Sequence, residues 1–450
     1  MKVILVCSDY QKKMFPYDKE WQTASLEILN TPNIIRQIDF FLQNGIQPND
    51  IYVYLAYQQN QVIPLLKPYE GIHLGKNYKD FREFLSAYAS TFDDQTLIVK
   101  SDYVFVNDDL HKVINHQDTD FVMLTEKQES TKAICANVAN EKISYFLGHP
   151  RDHYVTHEVA GIYCLSKQAL DYVIHSSNGF DKRISGSMIP DQFYIENGLN
   201  QFIESGNQIK SVIAQYNVFQ LLFPWSILDA NNYHLNRLVA LLPEESISSS
   251  AKIEPSASIN GKLKVGENSY IGKNVIINGN VVIGENVVID NGAILNGNIL
   301  IGDHSYVKDY AKIEGPTVIG KENKFGHNAE FKGVSMKGVS AIHYSEMFGV
   351  IGRYVDIAAA CVCGILRFND TEQPHKISGQ TYTAKHSNAV FVGDYTRTGI
   401  NNVFLPGNKI GSNSALYPGL IVEKDVPHET IVLKKQETVE QHWGPNKYGW

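Results

Sequence analysis

The run Val281-Val282-Ile283-Gly284-Glu285-Asn286-Val287-Val288-Ile289-Asp290-Asn291-Gly292-Ala293-Ile294-Leu295 places an aliphatic residue at every sixth position, at Ile283, Ile289 and Leu295. Read outward in blocks of six from Ala251, the same position holds Ile253, Ile259, Val265, Ile271, Ile277, Ile301, Val307, Ile313, Ile319, Phe325 and Phe331. Glycine often follows it, as at Gly266, Gly284, Gly302 and Gly320. A six-residue period supplies one short flat strand and one turn per block, and three blocks close a triangular coil whose inward aliphatics stack on the next coil. Each coil buries its apolar side only against its neighbours, so the array must be long and capped. This stretch reads as a left-handed parallel β-helix of hexapeptide repeats, packing by its flat faces into a homotrimer.

The period loosens between about Ser335 and Ser387 and returns at Val390-Phe391-Val392-Gly393-Asp394. Inside the gap, Asn369 to Ser387 is polar and carries Pro374, Lys376, Gly379 and Lys385, the composition of an excursion loop. The first 230 residues follow another rule. Short apolar runs of strand length, Val3 to Val6, Ile51 to Leu55, Leu97 to Val99, Phe121 to Leu124 and Gly161 to Leu165, alternate with helix-period segments such as Ile34 to Leu42. That alternation predicts an open, mostly parallel α/β sheet. The expected organisation is an α/β domain over 1–230, a connecting segment over 231–250, the β-helix over 251–435 and a tail over 436–450.

With 450 residues, 43% hydrophobic and 20% charged, the chain has the composition of a soluble multidomain protein. Its formal net charge of -8 gives no basic footprint for nucleic acid. The apolar run at the N-terminus is too short for a signal peptide or membrane span, which predicts a cytoplasmic protein without membrane insertion. Five scattered cysteines lack the paired spacing of a zinc site, and Cys361 and Cys363 read as small core residues.

Several landmarks recur in a fixed order: Lys100-Ser101-Asp102, Ala160-Gly161-Ile162-Tyr163, Phe223-Pro224-Trp225-Ser226, Asn328-Ala329-Glu330-Phe331-Lys332, Ile342-His343-Tyr344-Ser345 and Val392-Gly393-Asp394-Tyr395-Thr396-Arg397. In that order the chain resembles the bifunctional sugar-1-phosphate nucleotidyltransferase/N-acetyltransferase family, especially its archaeal-type branch. The resemblance implies a Rossmann-like nucleotidyltransferase domain ahead of the β-helix. It places Asp102 as a Mg²⁺ ligand and Lys12 where the family has a phosphate-binding Arg. Departures are visible here: Ser8 to Pro16 lacks both glycines of the family's phosphate loop, carries Asp9 and Tyr10 instead, and Gln220 occupies the second acidic position.

In the β-helix, the resemblance makes His343 the general base for acyl transfer from acetyl-CoA or another acyl-CoA. It places Lys308 and Lys332 on a substrate phosphate, and Ala358, Ala359 and Ala360 along the pantetheine arm of CoA. Lys376, Lys385 and His386 of the excursion loop are placed to reach a phosphate across a subunit boundary. Glu346 and Ile365 replace family residues, which implies a changed acceptor. Each assignment has a structural alternative: a strand-end turn for Asp102, a coil corner for His343 and the alanines, and a solvated surface for the lysines. Three functions follow: CoA-dependent acyl transfer to an amino sugar or sugar phosphate; NTP- and Mg²⁺-dependent nucleotidyl transfer with the β-helix as a trimerisation scaffold; or a catalytically silent paralogue that binds a sugar nucleotide or partner enzyme.

Overall fold

The computed structural model describes residues 1–7, 12–92, 95–180 and 192–441. Asp9 and Tyr10 of the phosphate-loop segment, and most of the expected C-terminal tail, lie outside the described residues. In the N-terminal half a nine-stranded sheet runs in the order His73–Gly75, Ile51–Leu55, Lys2–Cys7, Thr96–Lys100, His157–Leu165, Phe121–Glu126, Lys210–Ile213, Lys142–Gly148, Ile134–Ala139. The first four strands are parallel, as the alternation with helices requires. The helix Asn33–Gln43 is one such crossover. It buries Ile34, Ile38 and Phe41 on one face and stops at Asn44-Gly45, where Gly45 has a φ of +89°.

Beyond Thr96–Lys100 the sheet is mixed, which modifies the expectation of a mostly parallel one. His157–Leu165 enters antiparallel to both Thr96–Lys100 and Phe121–Glu126. The reason is local: between Phe121–Glu126 and His157–Leu165 the chain makes an antiparallel strand pair rather than a helical crossover.

From Glu245 onward the chain is a stack of short parallel strands, as in a β-helix. Lys252 pairs with Tyr270, Tyr270 with Val288, Val288 with Tyr306 and Tyr306 with Lys324, each eighteen residues on, so three hexapeptides make one coil. The inward aliphatics form one continuous core from Leu263 to Val426. Asn268, Asn274, Asn286 and Asn291 take the corners with left-handed backbone, which asparagine tolerates better than branched residues do. The first coil departs from the expected inward pattern: Ile259 is 37% exposed, because no coil lies beneath it.

Where the sequence period loosens, the coil length changes. Lys324 pairs with Ser340 and Ser340 with Asp356, sixteen residues on, and then Asp356 pairs with Arg397, forty-one residues on. Arg397 to Ala415 restores eighteen. The long coil contains the excursion, and it is not an unpaired loop. His375–Ile377 and Gln380–Tyr382 form a hairpin through Ser378-Gly379, both with positive φ.

This hairpin packs back on the chain's own N-terminal half. Tyr382 lies 4.8 Å from the Phe223 ring, His375 lies 4.9 Å from the Trp225 ring, and His386 Nδ1 is 2.8 Å from Asp229 Oδ1. The helix Pro224–Ala240 runs through the expected 230/231 boundary and packs on both halves.

That junction has a regular basis. On one face of the β-coil the outward residue of each strand is also apolar, in the register Val282, Leu300, Val318, Val334, Val350, Phe391. The column ends in Lys264 below and Lys409 above. Trp225, Leu228 and Leu235 of the helix cover it, together with Met14, Tyr17 and Trp21 from the segment after the first strand. Polar ties fix the register. Tyr17 Oη donates to the Val350 carbonyl at 2.7 Å, Asn30 Nδ2 to the Ile319 carbonyl at 2.8 Å, and Trp21 Nε1 to Asp394 Oδ1 at 3.2 Å.

Candidate functional site

The chemistry-bearing residues collect in two places. The first lies at the carboxyl ends of the parallel strands Lys2–Cys7 and Thr96–Lys100, where open α/β sheets bind ligands. Asp102 is 2% exposed there. Its Oδ2 accepts from Gln220 Nε2 at 3.0 Å, while its Oδ1 has no hydrogen-bond partner. The residue aligned with the family's second acidic position therefore stands beside Asp102, with an amide in place of a carboxylate.

Three further residues share this end of the sheet, and none was singled out from the sequence as a site residue. Glu196, fully buried on the helix Ile195–Glu204, accepts a hydrogen bond from Tyr163 Oη through Oε1 and leaves Oε2 unpartnered. Lys100 Nζ lies 3.8 Å from the same Oε1 and 5.6 Å from the centroid of the Tyr163 ring. Burial, reinforced by the Glu196 charge, pushes the Tyr163 hydroxyl well above its ordinary range, and burial with the Asp102 charge does the same for Tyr103. Both therefore stay protonated as donors. Gly161, at φ +76°, admits the Tyr103 ring: a Cβ there would stand 2.7 Å from it.

Lys100 and Tyr163 lie in landmark runs where the resemblance assigns a role to Asp102 alone. Glu196 had no local signal, because Tyr194-Ile195-Glu196-Asn197 reads as an ordinary amphipathic helix start.

Among the described residues no group of three His, Cys, Asp or Glu side chains gathers as a metal cage. Mg²⁺ does not need one, since it commonly takes one or two carboxylates and completes its shell with water and substrate phosphates. The unpartnered, buried Asp102 Oδ1 fits that mode. Lys12 is exposed nearby in sequence, on the one-turn helix Lys12–Met14. Its neighbour Lys13 is drawn instead over the Tyr382 ring at 5.1 Å, and Lys132 lies over the same ring at 4.6 Å.

The second place is a corner column of the β-coil. The turns stack so that the Asn328 N–H donates to the Asp309 carbonyl, the Tyr344 N–H to the His327 carbonyl, the Ala360 N–H to the His343 carbonyl and the Asn401 N–H to the Ala359 carbonyl. Asp309, His327, His343 and Ala359 thus hold the same position in successive coils. His343 is exposed, and its Nδ1 lies 3.0 Å from His327 Nδ1. The alanines stand one coil above it, half-buried, with Ala360 in the left-handed region at φ +59°. Two of their three N–H groups are used within the coil, Ala358 on Thr398 Oγ1 at 2.8 Å and Ala360 on His343. The strip therefore offers shape more than hydrogen bonds.

Lys308 opens the turn beneath His327 and lies 4.7 Å from the centroid of the Tyr306 ring. Lys332 sits two residues into the strand Glu330–Ser335, exposed and in register with Phe348. Glu330 is engaged by Lys312 at 3.0 Å, and Glu346 pairs in register above it. Among the described residues, no hydrogen bond or ion pair ties Lys332, Lys376 or Lys385 to His343. Lys376 and Lys385 are exposed on and beside the hairpin, whereas His386 is committed to Asp229 of its own chain. Cys361 is buried, with Sγ 3.2 Å from the Gly399 carbonyl; Cys363 Sγ accepts from the Phe348 N–H at 2.9 Å.

Comparison with known proteins finds similarity along both halves of the chain. Residues 241–364 match the family model described as the GMPPB C-terminal domain. The chain is 27% identical over 450 residues to the bifunctional protein GlmU of Methanococcus maripaludis, covering 98% of each chain. It is 24% identical to a bifunctional sugar-1-phosphate nucleotidylyltransferase/acetyltransferase of Sulfurisphaera tokodaii, covering 95% of this chain and 98% of the relative. Among solved structures, a CTP:phosphocholine cytidylyltransferase from Streptococcus pneumoniae matches 52% of this chain and 98% of its own, at 16% identity and a TM-score of 0.39. The family resemblance carried by the sequence landmarks thus extends across nearly the full chain.

Proposed function

We propose that this chain is a transferase of nucleotide-sugar metabolism whose β-coil half moves an acetyl or other acyl group from CoA to an amino sugar or sugar phosphate. The carrying observation is His343, exposed at a coil corner directly beneath the small residues Ala359 and Ala360. In this reading His343 takes a proton from the acceptor amine as the nitrogen attacks the thioester carbonyl, and returns it to the departing thiolate. Lys308 and Lys332 neutralise the acceptor's phosphate, and Ala358 to Ala360 leave room for the pantetheine arm.

The coil winds left-handed in this reading. Three chains assemble around it in the cytoplasm, with Lys376 and Lys385 facing a neighbour's site. The catalytic unit corresponds to 251–435, set behind the nucleotidyltransferase-like unit 1–230 and the connector 231–250. Replacing His343 by Ala should abolish CoA release to an accepted amino sugar, a loss of about 10²–10⁴-fold, with the oligomer intact. Unchanged turnover removes His343 from the chemistry.

A second reading is favoured by one observation, the two buried carboxylate oxygens left without partners, Asp102 Oδ1 and Glu196 Oε2. Buried, unsatisfied oxygens are costly unless a ligand uses them. Asp102 would hold Mg²⁺ there, and the ion would neutralise an NTP alongside Lys12 in nucleotidyl transfer to a sugar or alcohol phosphate.

A further inference from the structure

We propose that His327 is a positioning residue for His343, holding it in the tautomer whose Nε2 is free to take a proton. The chemistry rests on the acyl-transfer reading above; the pairing rests on geometry alone. His327 and His343 are sixteen residues apart and occupy the same turn position of adjacent coils. Below them the corresponding step, from Asp309 to His327, is eighteen. The shortened coil sets the two rings against each other, Nδ1 to Nδ1 at 3.0 Å and at an angle of 85°.

A hydrogen bond between these two nitrogens needs one N–H and one lone pair, and a neutral imidazole carries only one N–H. The donor ring therefore has a bare Nε2, and the acceptor ring a protonated one. For His343 to act as a base it must be the donor. The surroundings favour that order. Asp309 lies in the turn beneath His327, its Oδ1 already accepting from Asn291 Nδ2 at 2.8 Å. Its negative field, on the side of His327 away from His343, favours a proton there and leaves the His327 Nδ1 lone pair facing upward. The turn backbone is left-handed here as at the other corners, with φ of +45° at His327 and +30° at Tyr344.

In the transfer step, the acceptor nitrogen forms its bond to the acyl carbon while its proton passes to His343 Nε2. His343 is then an imidazolium whose Nδ1–H still donates to His327, a charge-assisted bond that stabilises the cation. The carbon–sulfur bond breaks, and the CoA thiolate takes the proton back. One proton bound beforehand silences the pair, because either arrangement of the protonated pair occupies His343 Nε2. The other ionisable groups on the turns and strands around the pair include Lys308, Lys312, Lys324 and Lys332, Tyr310 and Tyr344, and Glu330, Glu346 and Asp356.

The test uses the full chain, acetyl-CoA and glucosamine 1-phosphate, with CoA release followed against pH for the wild type, His327→Leu and His327→Gln. Losing the partner should remove part of the general base's contribution of about 10²–10⁴, so His327→Leu should lower kcat roughly ten- to hundredfold with little change in the KM for acetyl-CoA. Its acid limb should move down by about one pH unit, the worth of the lost charge-assisted bond. His327→Gln, whose amide carbonyl can accept the Nδ1–H, should recover most of the rate. An unchanged kcat and acid limb in His327→Leu overturns the proposal, as does a Gln variant as slow as the Leu variant.

If the wild type releases no CoA with this acceptor, the pairing is judged separately from the transfer. The readout is then carbethoxylation of His343 by diethyl pyrocarbonate, read by peptide mass across pH. A midpoint that falls in His327→Leu upholds the pairing, and a midpoint that stays put overturns it.

Discussion

Two columns of residues climb the same β-coil, one residue per coil, and meet opposite surroundings. Val282, Leu300, Val318, Val334, Val350 and Phe391 point outward from one face and are covered by the helix Pro224–Ala240 and the segment 14–28. Asn291, Asp309, His327, His343 and Ala359 point outward from one corner, where the two histidines are exposed. The inward positions of the two regions belong to one apolar core, aliphatic for the most part with Phe325, Phe331 and Phe404 among them. In a solenoid the core therefore specifies the coil, and the outward residues decide what each side does. An apolar column recruits the other half of the chain, and the corner column is left open to solvent.

The largest expected effect breaks the covered column. Phe391→Ala should cost roughly 3–5 kcal/mol in urea unfolding, because the side chain is fully buried between the coil and the helix. A loss under about 1 kcal/mol would mean that the two halves are not held together by this column.

Next is the polar lock beside it. The Arg353 guanidinium stacks 4.0 Å from the Trp21 ring centroid and bridges to Asp394 Oδ2 at 2.6 Å. Burial pushes the Asp394 carboxyl up, against the pull of Arg353. Arg353→Ala strands a buried charge and should cost about 3 kcal/mol. A raised carboxyl favours the folded state when protonated, so stability from this group falls as pH rises; the loss should be larger at pH 8 than at pH 5. Equal losses at both would show that Asp394 is solvated once Arg353 is gone.

The smallest effect sharpens the comparison from the far side of the covering helix. His234 is buried, its Nε2 has no partner, and burial pushes it down to about 3. The unfolded chain takes up a proton below its ordinary value of 6.5 and the folded chain does not. Over the first pH unit below that value stability should therefore fall by up to about 1.4 kcal/mol, and His234→Phe should flatten that slope. A slope unchanged in the variant would locate the acid sensitivity elsewhere.

The regular coils were legible because a six-residue period leaves one inward place per block, and Ile271, Ile289 and Val307 fill it, fully buried. The apolar outward column was legible in principle, as an eighteen-residue period of Val282, Leu300 and Val318 laid over the sixfold one. It was hidden because Val288 and Ile294 are equally apolar on faces left open. The coil of forty-one residues was visible only as lost periodicity, and its hairpin docks through Tyr382 and His375, whose partners Phe223 and Trp225 lie about 150 residues away in sequence.

At the sites, single residues at strand ends and corners, Asp102 and His343, could be named because family landmarks flank them. Glu196 and His327 could not, because their roles depend on which residue stands beside them in space: Tyr163 in one case and His343, one shortened coil away, in the other.

The measurement that bears most directly on the assignment of chemistry to the open corner is a thermal-shift panel of the full chain with acetyl-CoA, CoA, and common NTPs with Mg²⁺. A ligand that binds only the folded state raises the transition by mass action, about 2.7 kcal/mol at a hundredfold excess over its Kd. The account predicts that acetyl-CoA and CoA raise the melting temperature and that His343→Ala keeps this shift while losing turnover. Stabilisation by NTP and Mg²⁺ with none from either CoA compound would contradict it and move the working chemistry to Asp102 and Glu196.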